Sequence, residues 1–67
     1  MFKVNNKFLR ELLCKHEMSI PDFTKHCGIT PITARHLIFG TRPVKFNTLA
    51  KVARKFNVDV NDLILDD

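Results

Sequence analysis

The segment from residue 19 to residue 40 constrains the fold most, because it holds the start and stop signals of two short helices in succession. Ser19 is a preferred N-cap residue, and Pro21 suits the first turn of a helix. Asp22, three residues after Ser19, completes a weak capping box. Gly28 then predicts a tight turn, so the first of the two helices should begin after Ser19 and end at Gly28.

A second short helix is predicted directly after this turn. Thr30 is its N-cap, Pro31 occupies its first position, and Gly40 ends it. An apolar stripe at helical spacing marks its buried side, at Ala34, Leu37 and Ile38. Two short helices joined by a few residues that include a glycine form a helix-turn-helix unit, which places its second helix in a DNA groove. The segment therefore favours a small DNA-binding domain.

Helical spacing predicts one helix before this pair, from about Asn6 to His16. Its apolar face carries four positions at helical spacing: Leu9, Leu12, Leu13 and His16. Phe2 and Val4 precede the helix and are expected to pack back onto the core.

Two more helices are predicted after residue 45, and no segment has the alternation of a strand. The fourth helix should run from about residue 46 to residue 56. Its apolar stripe is Phe46, Leu49, Val52, Ala53 and Phe56. Asn57 suits a left-handed helix stop, and Asp59 suits the cap of a short last helix over residues 60–64.

Composition bounds the class of protein. The chain has 67 residues, of which 45% are hydrophobic and 27% charged, as in a single folded domain rather than a disordered chain. No apolar run approaches the roughly 20 residues that a membrane span needs. Cys14 and Cys27 do not make a disulfide framework, so reduced, packed thiols and a cytoplasmic location are expected.

The charge of the chain favours a polyanionic partner. The formal net charge is +4, and all 11 Lys and Arg residues lie between Lys3 and Lys55. Acidic residues crowd the C-terminal end, at Asp59, Asp62, Asp66 and Asp67. If the basic part faces a phosphate backbone, this acidic end should point away from it.

From about Leu9 to Ile64 the chain resembles the phage-repressor and Cro-type helix-turn-helix family, also described as XRE-like or lambda-repressor-like. The matched features of the helix-turn-helix unit are Ser19, Phe23, Thr24, the turn Gly28-Ile29-Thr30, Ala34, Leu37 and Gly40. The matched features downstream are Leu49, Val52-Ala53, Phe56 and residues 58–63. The resemblance implies an all-α, five-helix DNA-binding domain with the helix-turn-helix at its second and third helices.

The chain also departs from this family at two places. The family often has Gln after the capping Ser, where Ile20 stands here, and Glu-Asn before the stopping Gly, where Ile38-Phe39 stand here. Ile20 and Phe39 are therefore predicted to form an exposed apolar strip beside the recognition helix. The strip could bind a protein partner or contact sugars and thymine methyl groups, and enlargement of the core by the same residues is an equal alternative.

The outward residues of the third helix are the candidate base contacts: Pro31, Ile32, Thr33, Arg35 and His36. The resemblance places base contacts at Pro31, Ile32 and His36. Arg35 can form two parallel hydrogen bonds with guanine O6 and N7, and Ile32 can cover a thymine methyl group. Arg35 could instead hold a phosphate, since half or more of protein–DNA hydrogen bonds go to the backbone.

Phosphate contacts are predicted on both sides of that helix. The candidates are Ser19, Lys25, Thr41, Arg42, Lys45, and the backbone amides of Phe46 and Asn47. A helix N-terminus with free amides and a nearby lysine is a ready phosphate site. The outer face of the fourth helix, with Lys51, Arg54 and Lys55, is expected to be a solvated surface.

No enzyme, cofactor or metal site is expected. The spacing of the histidines and cysteines lacks the paired ligands of zinc sites, and no nucleophile with a matching base is apparent. The sequence predicts a sequence-specific regulator of double-stranded DNA, and the resemblance implies a small Cro/CI-type repressor of a bacterium, phage or mobile element. A homodimer on a palindromic operator is expected, formed either in solution or only on DNA. Residues 1–67 are expected to be a single domain without a separate sensor. The alternative is a protein-interaction module of the same fold, such as an antirepressor or an antitoxin.

Overall fold

The computed structural model describes residues 1–65, which form five α-helices. These are α1 (Asn6–Lys15), α2 (Ile20–Cys27), α3 (Pro31–Phe39), α4 (Phe46–Phe56) and α5 (Val60–Leu63). The all-helical fold class is confirmed, and α1 and α5 each end one residue earlier than predicted. Asp66 and Asp67 of the predicted acidic end lie outside the described residues.

The core takes at least one fully buried side chain from every helix. These residues, each with 0% of its surface exposed, are Leu9, Phe23, Leu37, Leu49 and Leu63, from α1 to α5 in order. The predicted inward stripe of α3 is confirmed, since Ala34, Leu37 and Ile38 are all buried. No polar or charged residue among residues 1–65 is buried, so apolar burial holds the domain together, at roughly 1.5–3 kcal/mol for each large side chain. None of these helices is long and apolar enough to cross a bilayer.

Three aromatic or imidazole side chains lie further out than predicted. His16 follows the end of α1 and is exposed, and its ring lies 5.2 Å from that of Phe56. Phe46 is 45% exposed and Phe2 is 40% exposed, and their rings meet edge to face at 5.7 Å. Of the two residues before α1 that were predicted to pack on the core, Phe2 and Val4, only Val4 does so. Helical spacing identifies one side of a helix, but it does not show whether another element covers that side.

Three of the helices end on a residue in the left-handed conformation. Glu17 has a φ of 55°, Gly28 of 66° and Asn57 of 56°, and the last confirms the predicted stop. In each case the next residue donates its N–H to a carbonyl five residues back, an arrangement known as the Schellman motif. These next residues also pack on the core: Met18, Ile29 and Val58. The same backbone turn therefore joins α1 to α2, α2 to α3, and α4 to α5.

Gly40 ends α3 in a different way. Its backbone is extended (φ −80°, ψ 156°), and its N–H donates to the carbonyl of His36 at 2.9 Å. A Cβ on Gly40 would lie 2.8 Å from that carbonyl oxygen and 2.9 Å from the Cα of His36. The glycine is therefore required by the close return of the chain over the last turn of α3.

Residues 2–5, here called the N-terminal strap, join two distant parts of the chain. Phe2 and Val44 exchange both backbone hydrogen bonds, at 2.9 and 2.8 Å. The N–H of Asn5 donates to the carbonyl of Leu63 at 2.8 Å. The strap thus fixes the loop before α4 against the end of α5 through isolated β-bridges, which the sequence pattern did not predict.

Candidate nucleic-acid interface

The helix α3 exposes one side as a ridge and buries the other. Ile32 is 70% exposed and Phe39 is 63% exposed, and Arg35 lies between them on the same side of the helix. Ala34 and Leu37 on the opposite side are fully buried. A helix that is anchored by its inner face and free along its outer face has the form needed to enter a DNA major groove.

Two side chains of α1 hold the C-terminal end of α3 in place. The amide of Asn6 donates to the carbonyl of Leu37 at 2.7 Å, and the guanidinium of Arg10 donates to that of Ile38 at 2.9 Å. Both carbonyls belong to the last turn of α3, where carbonyl groups have no hydrogen-bond partner within the helix. Neither of these positioning residues was predicted from the sequence. Their only sequence signal is a polar pair four residues apart beside the apolar face of α1.

A groove separates α3 from the start of α2. It is lined by Ile20, Pro21, Thr24, Lys25, Pro31 and Arg35. Two predicted base-contact residues, Pro31 and Arg35, therefore share this groove with the predicted phosphate contact Lys25. The charged side chains of Lys25 and Arg35 lie in a groove whose walls are otherwise largely apolar.

A second groove separates α3 from the loop before α4 and from α4 itself. It is lined by Met1, Thr33, His36, Arg42, Pro43, Val44, Lys45 and Thr48. The other two outward polar residues of α3, Thr33 and His36, thus face the predicted phosphate contacts Arg42 and Lys45. The N-terminal strap holds this loop through Val44. Met1 and Thr48 line the groove without any signal in the sequence that would have placed them there.

The N-terminus of α4 is open to an anion. Lys45 is its N-cap residue, makes no side-chain capping bond, and is followed by a first turn without an acidic residue. Within residues 1–65 the other four helices are each capped by the side chain that precedes them. The N–H groups at the start of α4, with the lysine beside them, therefore remain available to a phosphate.

The N-terminus of α2 is chemically different. The N–H of Ser19 donates to the Asp22 carboxylate at 3.1 Å, and the Ser19 hydroxyl accepts from the N–H of Asp22 at 3.2 Å. The Ser19 backbone and side-chain hydrogen bonds hold the pKa of Asp22 below its ordinary value of 3.8. The predicted phosphate contact at Ser19 is thus already engaged, and a carboxylate lies next to it.

The two departures from the family pattern lie in different surroundings. Ile20 is half-buried, packs against the core and forms part of the α2–α3 groove. Phe39 stands on the open side of α3 at its last turn. The core therefore absorbs part of the predicted apolar strip, and Phe39 is its exposed part.

The cysteines and histidines form no cluster of the kind that binds metals. Cys27 is buried as predicted, and burial raises the pKa of its thiol to about 11. Cys14 is exposed, so the prediction of a packed thiol is wrong there, because this position lies on the outer side of α1. In the part of the chain that the structure describes, no three His, Cys, Asp or Glu side chains converge as a metal site would require.

An exposed ridge between two grooves with basic residues on their walls defines a helix-turn-helix DNA-binding domain. A family model described as the Cro/C1-type HTH DNA-binding domain matches residues 8–66. The chain therefore belongs to the Cro/C1-type helix-turn-helix family, whose fold binds DNA and is not an enzymatic one. No curated protein and no solved structure matches the chain.

Proposed function

We propose that this chain is a sequence-specific regulator that inserts the N-terminal half of α3 into the major groove of double-stranded DNA. The observation that carries the proposal is the ridge of α3 between two grooves, none of whose lining residues is acidic. Ile32 covers a thymine methyl group, and Arg35 forms paired hydrogen bonds with a guanine. Thr33 and His36 contact the opposite side of the major groove. Pro31 has no N–H and shapes the start of the helix.

The phosphate contacts are unequal on the two sides of α3. On the α4 side, the open helix N-terminus at Lys45, with the amides of Phe46 and Asn47, holds one phosphate. Thr41 and Arg42 extend this site along the loop. On the α2 side, Lys25 is the main contact, because Ser19 already donates its N–H to the Asp22 carboxylate and accepts the Asp22 N–H at its hydroxyl. The domain therefore binds the DNA backbone more strongly on the α4 side of α3 than on the α2 side.

The regulator acts as a small repressor and binds as a homodimer. One helix in the major groove reads only a few base pairs, so a two-fold pair of chains on a palindrome is needed for useful specificity. The half-sites would lie one helical turn apart, about 34 Å centre to centre. A bacterial, phage or mobile-element origin fits the family to which the chain belongs.

Selection of binding sites from random duplex DNA, followed by a salt titration on the selected site, tests this function. We expect a palindromic site that binds far more tightly than scrambled DNA, with log K falling linearly as log salt rises. Salt-sensitive binding without sequence enrichment would refute the specific regulator and leave only a basic surface. Absence of binding to any duplex would refute DNA binding itself.

Single variants test the roles of two residues. Arg35→Ala should weaken the selected site by about 1–3 kcal/mol and relax the preference at one base pair. Lys45→Ala should weaken all sequences alike and reduce the salt slope by about one unit. Lys15→Ala, an exposed lysine on α1 that lines neither groove, is the matched control for loss of charge. An equal effect of Lys15→Ala and Lys45→Ala would contradict the phosphate site at α4.

A protein-interaction role is a second candidate, and the 63% exposure of Phe39 favours it. An isolated aromatic ring on the outer face of α3 suits an apolar interface more than a DNA groove. If Phe39 and Ile20 bind a protein, Phe39→Ala should weaken that complex strongly while salt hardly affects it. Co-purification of a partner that Phe39→Ala releases, with DNA binding unchanged, would support this role.

A further inference from the structure

A third groove lies between the helix-turn-helix turn and the outer face of α4. Its lining residues are Gly28, Ile29, Thr30, Thr33, Asn47, Thr48, Ala50, Lys51 and Arg54. It shares Thr33 and Thr48 with the α3–α4 groove, so the two adjoin. Together they form one trough, here called the α4 trough, that runs from Arg42 and Lys45 at one end to Lys51 and Arg54 at the other.

The chemistry of this third groove suits an anion. Lys51 and Arg54 are three residues apart, which places both cations on the same side of α4. The ammonium of Lys51 lies 3.4 Å from the carbonyl of Gly28, so it reaches from α4 across the groove to the turn. Thr30 and Thr33 contribute hydroxyl groups on the opposite wall, and none of the lining residues is acidic. The groove is open to solvent and has a volume of about 640 Å³, ample for a phosphate with several waters, since one water occupies about 30 Å³.

We infer that Lys51 and Arg54 bind the DNA backbone beyond the phosphate held at the start of α4, so that one strand follows the whole α4 trough. This inference rests on the proposed DNA binding. From Lys45 to Arg54 the helix advances nine residues, or roughly 13.5 Å at 1.5 Å per residue. That length exceeds the 3.4 Å axial rise per nucleotide of a DNA strand, so the two ends of the trough meet different phosphates. A separate small anion would not need this continuous row of cations.

The sequence predicts one solvated surface for Lys51, Arg54 and Lys55, but the structure separates them. Lys51 and Arg54 line the groove, whereas Lys55 does not. Lys55 is exposed on the same helix and takes part in the fold through its backbone carbonyl, 3.1 Å from the ring of His26. It therefore serves as a control that removes the same charge from the same helix without touching the trough.

The test is a salt titration of binding to the selected duplex by the full chain and its variants. Arg54→Ala and Lys51→Ala should each lower the salt slope by about 0.9 and weaken binding about five- to tenfold at 0.1 M salt. The double variant should lose about 1.8 from the slope. Lys51→Arg keeps the positive charge and should therefore retain the slope. Thermal melting of every variant confirms that the fold is intact.

A duplex with single neutral methylphosphonate linkages locates the contact. Where the neutral linkage replaces the phosphate that Arg54 binds, Arg54→Ala should cause no further loss of affinity. Two results would overturn the inference while leaving the proposed function in place: slopes unchanged in Lys51→Ala and Arg54→Ala, or the same loss in Lys55→Ala. If the unmodified chain binds no duplex at all, the proposed function and this inference fail together.

Discussion

Replacement of Glu17 by glycine should stabilise the protein, because Glu17 ends α1 in a conformation that L-amino acids avoid. Its φ of 55° matches that of Gly28 at the end of α2. An L-residue in the left-handed region costs roughly 1–2 kcal/mol, which glycine does not incur. A glycine loses more backbone freedom on folding than a glutamate does, and this loss offsets about 0.4–1 kcal/mol of the gain. The side chain of Glu17 is exposed, so the net gain from Glu17→Gly should be about 0.5–1 kcal/mol.

Urea denaturation followed by circular dichroism measures this change directly, and thermal melting should show a rise of about 2–8 °C. Two matched variants isolate the backbone effect. Glu17→Gln removes the charge near the C-terminus of α1 but keeps the Cβ, so it reports any effect of the helix dipole. Gly28→Ala is the reverse experiment: no atom lies within 4 Å of the added Cβ, so its cost is purely conformational.

A Glu17→Gly protein no more stable than Glu17→Gln would refute a backbone cost at Glu17. In that case the charge, and not the left-handed backbone, limits the stability of this turn. The backbone cost is also refuted if Gly28→Ala leaves the free energy of unfolding unchanged, since the two turns share one geometry. A change in the urea m-value would show that the unfolded state had changed instead.

Three further predictions follow from burial and hydrogen bonding. Cys27, whose thiol pKa is raised to about 11, should react with a thiol reagent at neutral pH far more slowly than the exposed Cys14, and equal rates in the folded protein would contradict this. Asp22→Asn should be less stable than the unmodified chain at neutral pH. A lowered pKa contributes stability above the ordinary value of 3.8 that is lost as the pH falls through the folded value, so the two stability curves should converge at acid pH, once Asp22 is protonated in the folded protein. Leu37→Ala should lose about 2–5 kcal/mol in urea denaturation, whereas Ile32→Ala, 70% exposed on the same helix, should change stability little.

The helices were predictable because their signals are local. A cap such as Thr30 and a stop such as Gly28 act within a few residues, and apolar spacing reports the inner face of the same helix. The errors at His16 and Phe46 arose where burial depends on another element. Periodicity gives the direction of a side chain, but not whether any part of the chain covers it there.

The ridge of the candidate site was also predictable, whereas its surroundings were not. Once the apolar stripe of α3 gives its inward residues, the remaining residues must face outward, and the exposure of Ile32 agrees with this prediction. From the sequence, the starts of α2 and α4 were both predicted to be phosphate sites, with no difference between them. The capping box of Ser19 and Asp22 was predicted, but its consequence, that Ser19 is engaged while Lys45 lacks a capping bond, is visible only in the structure. The anchors from Asn6 and Arg10 to α3 join residues about thirty positions apart, which no local pattern reports.

The N-terminal strap has a consequence for the order in which the chain folds. Contacts within and between neighbouring helices close short loops and form early, whereas the bonds of Phe2 to Val44 and of Asn5 to Leu63 close most of the chain. The strap should therefore form last during folding and open first by local unfolding, ahead of the helical core. Amide hydrogen exchange at Val44 should then be faster than at the buried backbone of α3. Each opening would free the loop that carries Arg42 and Lys45. The positions of these two phosphate contacts therefore depend on the hydrogen bonds of the fold that open most often.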